Sequence, residues 1–232
     1  MKIFAQISWL FATIIIFLSL TFLILIFHLV PEPFAPKISS WIIRLSLFFC
    51  TEVEGKEDEN TQLFLINHQS DLDIAIMETV TKKDLAWVAK KQLFDIPFFG
   101  LAIRLAQNIP VERESKTSLI KLLKDVKHRL SLGKTITMFP EGTRSLKGKM
   151  LPFKAGAKMI ADKYKLVVQP VVLMQTAKYY NIKKFYYKPG KIKVIYLDSF
   201  IADKSDKEWL NNLRKKMQKV YDDELANNPS HR

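Results

Sequence analysis

The sequence predicts an α/β domain with a mixed, mostly parallel sheet flanked by helices, preceded by an apolar two-helix membrane anchor. Three observations predict it. From about residue 60 onward, short apolar runs alternate with amphipathic helical patterns, as in layered α/β folds. The first fifty residues carry almost no charge. A histidine and a carboxylate directly follow the first apolar run of the body, where open α/β sheets place their chemistry. The expected division is residues 1–50 as a membrane-associated helical segment and 51–232 as the α/β domain.

At the amino terminus, no charged residue occurs between positions 3 and 30. The apolar run 7–30 is long enough to span a hydrocarbon core, which needs roughly 20 residues as a helix. Pro31-Glu32-Pro33 breaks it. A second run, 38–50, contains Trp41 and Arg44; it is too short to span and reads as interfacial or re-entrant. Whether the first helix crosses fully or dips in as half of a hairpin is left open. A cleaved secretory signal is the alternative, but the run exceeds a usual signal core and no small-x-small site follows it cleanly.

The chain has 232 residues, 48% of them hydrophobic, so one domain with a sizeable core needs no staples. Its single cysteine, Cys50, excludes an internal disulfide and fits a reducing compartment. Net charge is +13; the first fifty residues hold three cations and one acid, so +11 belongs to the body. A basic body implies an anionic partner. Beside an apolar anchor, that partner reads as an anionic membrane surface rather than nucleic acid. The cytoplasmic face of the inner (cytoplasmic) membrane is where anionic lipids lie.

Within the body, residues 51–60 are acidic and polar and read as a linker. Strands are expected near 62–67, 86–89, 107–111, 134–139, 167–173 and 191–197. Helices are expected near 71–79, 98–105, 115–130, 155–164 and 208–225. Leu119, Leu122, Leu123, Val126 and Leu130 form one apolar stripe; Trp209, Leu213, Met217, Val220 and Tyr221 form another. Both read as core-facing. The aromatic and basic stretch 179–188 reads either as a loop packing its tyrosines or as a membrane-interface contact.

The loop Asn67-His68-Gln69-Ser70-Asp71-Leu72-Asp73 carries the candidate chemistry. Residues five apart do not share a helical face. His68 and Asp73 therefore meet only if His68 lies in the loop and Asp73 in the first helical turn. Ser70 as N-cap would place them so. Asp73 could then accept from one ring nitrogen and leave the other to take a proton. The alternative is structural: Ser-x-x-Asp is also a capping-box pattern, with Asp73 bound to the N–H of Ser70. Asp71 reads as a solvated first-turn acid favoured by the helix dipole.

Three further stretches put cations after strands: Lys91 after the second, Arg113 after the third, Arg144 after the fourth. In a parallel sheet they could converge beside His68 and suit a phosphate. Gly142 would permit close backbone approach there. Each cation by itself reads rather as a solvated surface charge; their common placement after strands favours the site.

These motifs resemble the glycerolipid acyltransferase family. Asn67 to Asp73 matches the family block Asn-His-Gln-Ser-x-x-Asp throughout, with its His-x4-Asp spacing. Phe139-Pro140-Glu141-Gly142-Thr143-Arg144-Ser145 matches the third block throughout. The stretches 90–100, 152–157 and 168–171 resemble further family segments. The second block keeps Arg113 but lacks the usual glycine and phenylalanine before it.

The resemblance implies transfer of a fatty acyl chain from a thioester, on coenzyme A or acyl carrier protein, to the sn-2 hydroxyl of lysophosphatidic acid. The product would be phosphatidic acid, an intermediate of phospholipid synthesis. By family match, His68 is the general base and Asp73 orients it. Lys91, Arg113, Glu141, Gly142, Thr143 and Arg144 belong to acceptor binding. No metal or resident cofactor is implied; the thioester is a substrate. Another acceptor, such as glycerol-3-phosphate or another lysolipid, or a non-enzymatic lipid-binding role, are the competing expectations.

Overall fold

The computed structural model describes residues 6–15, 18–19, 34–112, 116–145, 148–182 and 184–227. In chain order the elements are α1 (Phe34–Ser46), β1 (Phe49–Glu54), β2 (Leu63–Ile66), α2 (Leu72–Val80), β3 (Leu85–Lys90) and α3 (Phe99–Leu105). They continue with β4 (Ile109–Val111), α4 (Lys116–Ser131), β5 (Thr135–Met138), α5 (Ala155–Tyr164), β6 (Val167–Leu173), β7 (Tyr180–Asn181) and β8 (Tyr186–Tyr187). The chain closes with β9 (Gly190–Tyr196), β10 (Phe200–Ile201) and α6 (Trp209–Asn227). A short 3-10 helix, Lys91–Asp95, links β3 to α3.

The main sheet has the order β1-β9-β6-β2-β5-β3-β4, with β10 also paired to β6. Strands β6, β2, β5, β3 and β4 are mutually parallel. β9 runs antiparallel to β6, and β1 pairs parallel to β9. The α/β class with a mixed, mostly parallel sheet is thus as expected. β2 lies at the centre, between β5 and β6. Its four residues are all buried and alternate between two cores. Leu63 and Leu65 face the cluster under α4, α5 and α6, whereas Phe64 and Ile66 face the cluster under α1 and α2.

Both helical stripes read from the sequence point inward. Leu122 and Val126 of α4, and Trp209, Leu213, Met217 and Tyr221 of α6, are buried in the first core. Among the tyrosines of 179–188, Tyr179, Tyr180 and Tyr187 pack against the second core. Tyr179 and Tyr180 are buried and Tyr186–Tyr187 closes a small hairpin on Tyr180–Asn181. Phe185 stays exposed and meets Trp9 edge-on, with ring centres 4.7 Å apart.

Residues 51–60 correct one expectation. The first four residues of this supposed linker, 51–54, belong to β1, an edge strand. Its acids face cations: Glu52 pairs with Lys191 at 2.5 Å and Glu54 with Lys193 at 2.7 Å. Charged residues are normal on an edge strand when a partner strand neutralises them.

Most of the second apolar run folds as α1, which packs on α2; Ile43 of α1 and Leu47 just past its end enter the second core. Residues 6–15 are helical. Most of the run 7–30, expected as a membrane helix, lies outside the described residues. Among the described residues, no helix is long and apolar enough to cross a membrane.

Candidate active site

Three adjacent parallel strands deliver their carboxyl ends to one place. β2 brings the loop 67–71, β5 brings 139–145, and β6 brings 174–176. Asn67 carries the ladder one residue past β2. Its side-chain amide donates to the Leu173 carbonyl at 2.9 Å, and its side-chain oxygen accepts the Leu173 N–H at 2.7 Å. The fully buried Asn67 thereby fixes where the next residue, His68, begins.

Asp73 lies in the first turn of α2 and is completely buried. Its Oδ2 stands 2.8 Å from His68 Nδ1. The same oxygen accepts the backbone N–H of Gln69 at 2.7 Å and of Ser70 at 3.0 Å. Its Oδ1 accepts the hydroxyl of Thr176. An oxygen already receiving two N–H groups must act as an acceptor toward the ring as well, so Nδ1 carries the proton. Nε2 is left unprotonated and able to take one. The two readings of Asp73 are therefore compatible: it closes the capping-box bond to Ser70 and orients His68 at once.

Ser70 itself departs from the expected cap. The helix begins at Leu72 after Asp71, with no side-chain capping bond at that residue. Ser70 Oγ donates to the Tyr180 carbonyl at 2.7 Å and accepts the Leu72 N–H at 3.3 Å. The Asp73 carboxylate takes over the loop N–H groups, which frees the serine hydroxyl to tie the loop to β7.

The β5 loop fixes His68 from its other side. The Phe139 ring stacks on the imidazole, with centres 3.8 Å apart and planes 10° apart. Glu141 accepts the His68 backbone N–H at 2.8 Å and the Leu151 N–H at 2.7 Å, using one oxygen for each. Burial raises its carboxyl above the usual range, opposed by those two backbone donors. Ser145 N–H donates to the His68 carbonyl at 2.8 Å. Glu141 is thus a brace between loops, held by two backbone N–H groups and by the side chain of Ser145. Gly142 adopts a positive φ of 72°, which a residue with a side chain would resist.

Of the expected cations, the structure brings Arg144 to the site and leaves Lys91 apart. Arg144 pairs with Asp71 at 2.5 Å, so Asp71 is an ion-pair partner rather than a freely solvated acid. Arg144 and Thr143 line a small depression of about 50 Å³ with Gln69, Ser70 and Tyr180. Lys91 faces Glu112 at 3.4 Å in a separate depression that includes Arg104 and Arg129. A mixed-charge neighbourhood at the β4 edge holds it there. Arg113 lies outside the described residues.

Sequence reasoning missed several participants. Thr176 holds the second oxygen of Asp73, and its position just past β6 is the only signal that could have marked it. Tyr221 of α6 accepts a hydrogen bond from the Gln69 side chain at 3.0 Å, so the carboxyl-terminal helix supports the catalytic loop. An apolar cavity of about 390 Å³ opens beside the site between α1, α2, β3 and α3. It runs past Asp71 and Ile74 and borders Tyr180 and Ile182, which also line the Arg144 depression. No linear motif encodes such a space, because four elements enclose it.

Comparison with known proteins places the chain in a family. The acyltransferase family model matches residues 49–174. A 1-acyl-sn-glycerol-3-phosphate acyltransferase of Helicobacter pylori J99 is 39% identical over 168 residues, covering 72% of this chain and 71% of that protein. One from Cocos nucifera is 32% identical, covering 75% of this chain but 57% of its own length. The crystal structure of the 1-acyl-sn-glycerophosphate acyltransferase PlsC from Thermotoga maritima shares the fold. It aligns with a TM-score of 0.72 at 24% identity, over 98% of this chain and 97% of that one. Matched by the family model over more than half of its length and by a relative of 39% identity, the chain belongs to the acyltransferase family.

Proposed function

We propose that the protein moves a fatty acyl chain from an acyl thioester to the sn-2 hydroxyl of lysophosphatidic acid, giving phosphatidic acid. The observation that carries this reading is the meeting of two unlike spaces along the loop 69–71 that directly follows His68. The depression with Arg144 suits a phosphate headgroup, and the apolar cavity suits a hydrocarbon chain. Tyr180 and Ile182 line both, and Asp71 in the cavity wall pairs with Arg144 of the depression. The names borne by the Helicobacter and Cocos relatives support the same acceptor.

The chemistry follows from the ring's orientation. Nε2 of His68 takes the proton of the acceptor hydroxyl as its oxygen attacks the thioester carbonyl carbon. Asp73 stabilises the imidazolium that results. When the carbon–sulfur bond breaks, the imidazolium returns the proton to the departing sulfur. An ester and a free thiol result, and His68 is neutral again. Ser70 takes no covalent part, because its hydroxyl is buried and bonded to Tyr180.

The donor is coenzyme A or an acyl carrier protein, and the basic chain suits either acidic carrier. The setting is the cytoplasmic face of the inner membrane. What supports membrane association is a band of exposed apolar side chains: Leu10, Phe11 and Leu18, with Trp41, Leu45 and Phe48 around α1. Purified enzyme in detergent, offered lysophosphatidic acid, glycerol-3-phosphate and a neutral monoacylglycerol with each donor, tests the reading through thiol release. Lysophosphatidic acid should be used fastest. Preference for glycerol-3-phosphate would reassign the acceptor, and thiol release without any acceptor would replace transfer by hydrolysis.

A further inference from the structure

A buried carboxyl stands in the wall of the apolar cavity and takes no part in the chemistry above. Glu78 lies on α2, seven residues after Asp71. Asp71, Ile74, Ala75 and Glu78 all line the cavity and fall on one helical stripe. The distance from Asp71 to Glu78 is roughly 10 Å along the helix axis at 1.5 Å per residue. A chain entering beside Asp71 therefore meets Glu78 about two turns in.

Glu78 Oε1 accepts the indole N–H of Trp87 at 2.8 Å. Its other oxygen makes no hydrogen bond among the described residues. The surrounding charges are engaged elsewhere. Lys37 of α1 donates to the carbonyls of Thr81 at 3.0 Å and Lys83 at 2.7 Å. Asp84 before β3 and Lys134 before β5 pair with each other at 2.9 Å. Burial, opposed by the Trp87 bond and by Lys37, pushes the Glu78 carboxyl up to about 7.

We infer that Glu78 is a specificity-determining residue: acyl chains long enough to pass it are accepted when its carboxyl is uncharged and rejected when it is ionised. The inference rests on the proposed transfer reaction, with the apolar cavity taken as the place of the donor's acyl chain. Physically, a hydrocarbon tail beside Glu78 displaces the water that an ionised carboxylate needs, whereas a neutral carboxyl tolerates the exchange. Binding of a long chain is thereby coupled to holding a proton. Chains that stop short of Glu78 lack this coupling.

The test is the ratio of kcat/KM for a long-chain donor to that for a short-chain donor, followed from mildly acidic to mildly alkaline pH. Taking a ratio cancels every ionisation that affects the two donors alike, that of the acceptor phosphate included. The ratio in the wild type should be level in acid and fall by up to about tenfold per pH unit once Glu78 ionises. In Glu78→Gln, which keeps an acceptor for Trp87, it should stay level. A wild-type ratio that does not change with pH overturns the inference, whatever the variant does. So does a fall that persists in Glu78→Gln. Ala75→Phe, which fills the cavity before Glu78, tests the underlying reading separately. If it lowers the ratio while the wild type shows no pH dependence, the cavity holds the chain and only the role of Glu78 fails. If it leaves the ratio unchanged, the chain lies elsewhere and both fail.

Discussion

Asp73 binds the His68 ring with the same oxygen that gathers the loop's backbone N–H groups, at 2.8 Å from Nδ1 and 2.7 Å from the N–H of Gln69. Orientation of the base and closure of the loop are one interaction. A change at Asp73 should therefore appear in both activity and stability.

Asp73→Asn tests this directly. An amide has one acceptor oxygen and no charge, so it cannot serve both the loop and ring donors on one side and the Thr176 hydroxyl on the other. Turnover should fall by on the order of a hundredfold or more, the scale of a misplaced general base. Stability should fall by about 1–3 kcal/mol for each buried donor left unpaired. Parallel kcat and thermal-denaturation measurements check it; lost activity with unchanged stability would contradict the shared role.

Ser70→Ala should separate structure from chemistry. The variant leaves the buried Tyr180 carbonyl without its partner, at a cost of about 1–2 kcal/mol. The folded enzyme should still turn over. Denaturant unfolding and initial rates check both halves, and recovery of an acyl group on Ser70 from the wild type would overturn direct transfer.

Arg144→Ala removes the cation beside the site and leaves Asp71 without its ion-pair partner. A charge-assisted contact to phosphate is worth about 1.5–3 kcal/mol, so KM for lysophosphatidic acid should rise on the order of tenfold or more. A neutral monoacylglycerol should be affected far less. Equal losses on the two acceptors would contradict phosphate recognition.

Glu78 also predicts how stability depends on pH. Its carboxyl is held at about 7 in the fold against an ordinary 4.5. The folded state thus keeps a proton that the unfolded chain gives up first. The associated stability is complete below about pH 4.5 and is lost as pH rises through about 7, on the order of 3 kcal/mol in all. Thermal midpoints of Glu78→Gln should gain on those of the wild type across that window. Parallel curves would show that Glu78 titrates normally.

Much of this arrangement was legible in the sequence because it depends on local order. The alternation of β2, the stripes of α4 and α6, and the blocks 67–73 and 139–145 are each contiguous or periodic. What escaped notice depends on which strands become neighbours. β5 and β6 flank β2 although they follow it by some seventy and a hundred residues, and only that order places Phe139 on the His68 ring and Thr176 on Asp73. Lys91 looked equivalent to Arg144 because both follow strands. β3, however, lies one strand farther from β2 than β5 does, and Glu112 holds its lysine at 3.4 Å. β1 was missed for a similar reason: its acids resemble a linker until β9 supplies Lys191 and Lys193.

The most direct test is acyl transfer by purified His68→Ala, measured as phosphatidic acid formed and thiol released from an acyl thioester. Loss of the base should lower kcat by on the order of a hundredfold to ten-thousandfold, while the variant stays folded. Turnover close to that of the wild type in a folded His68→Ala enzyme would mean that the imidazole aimed by Asp73 is not the base.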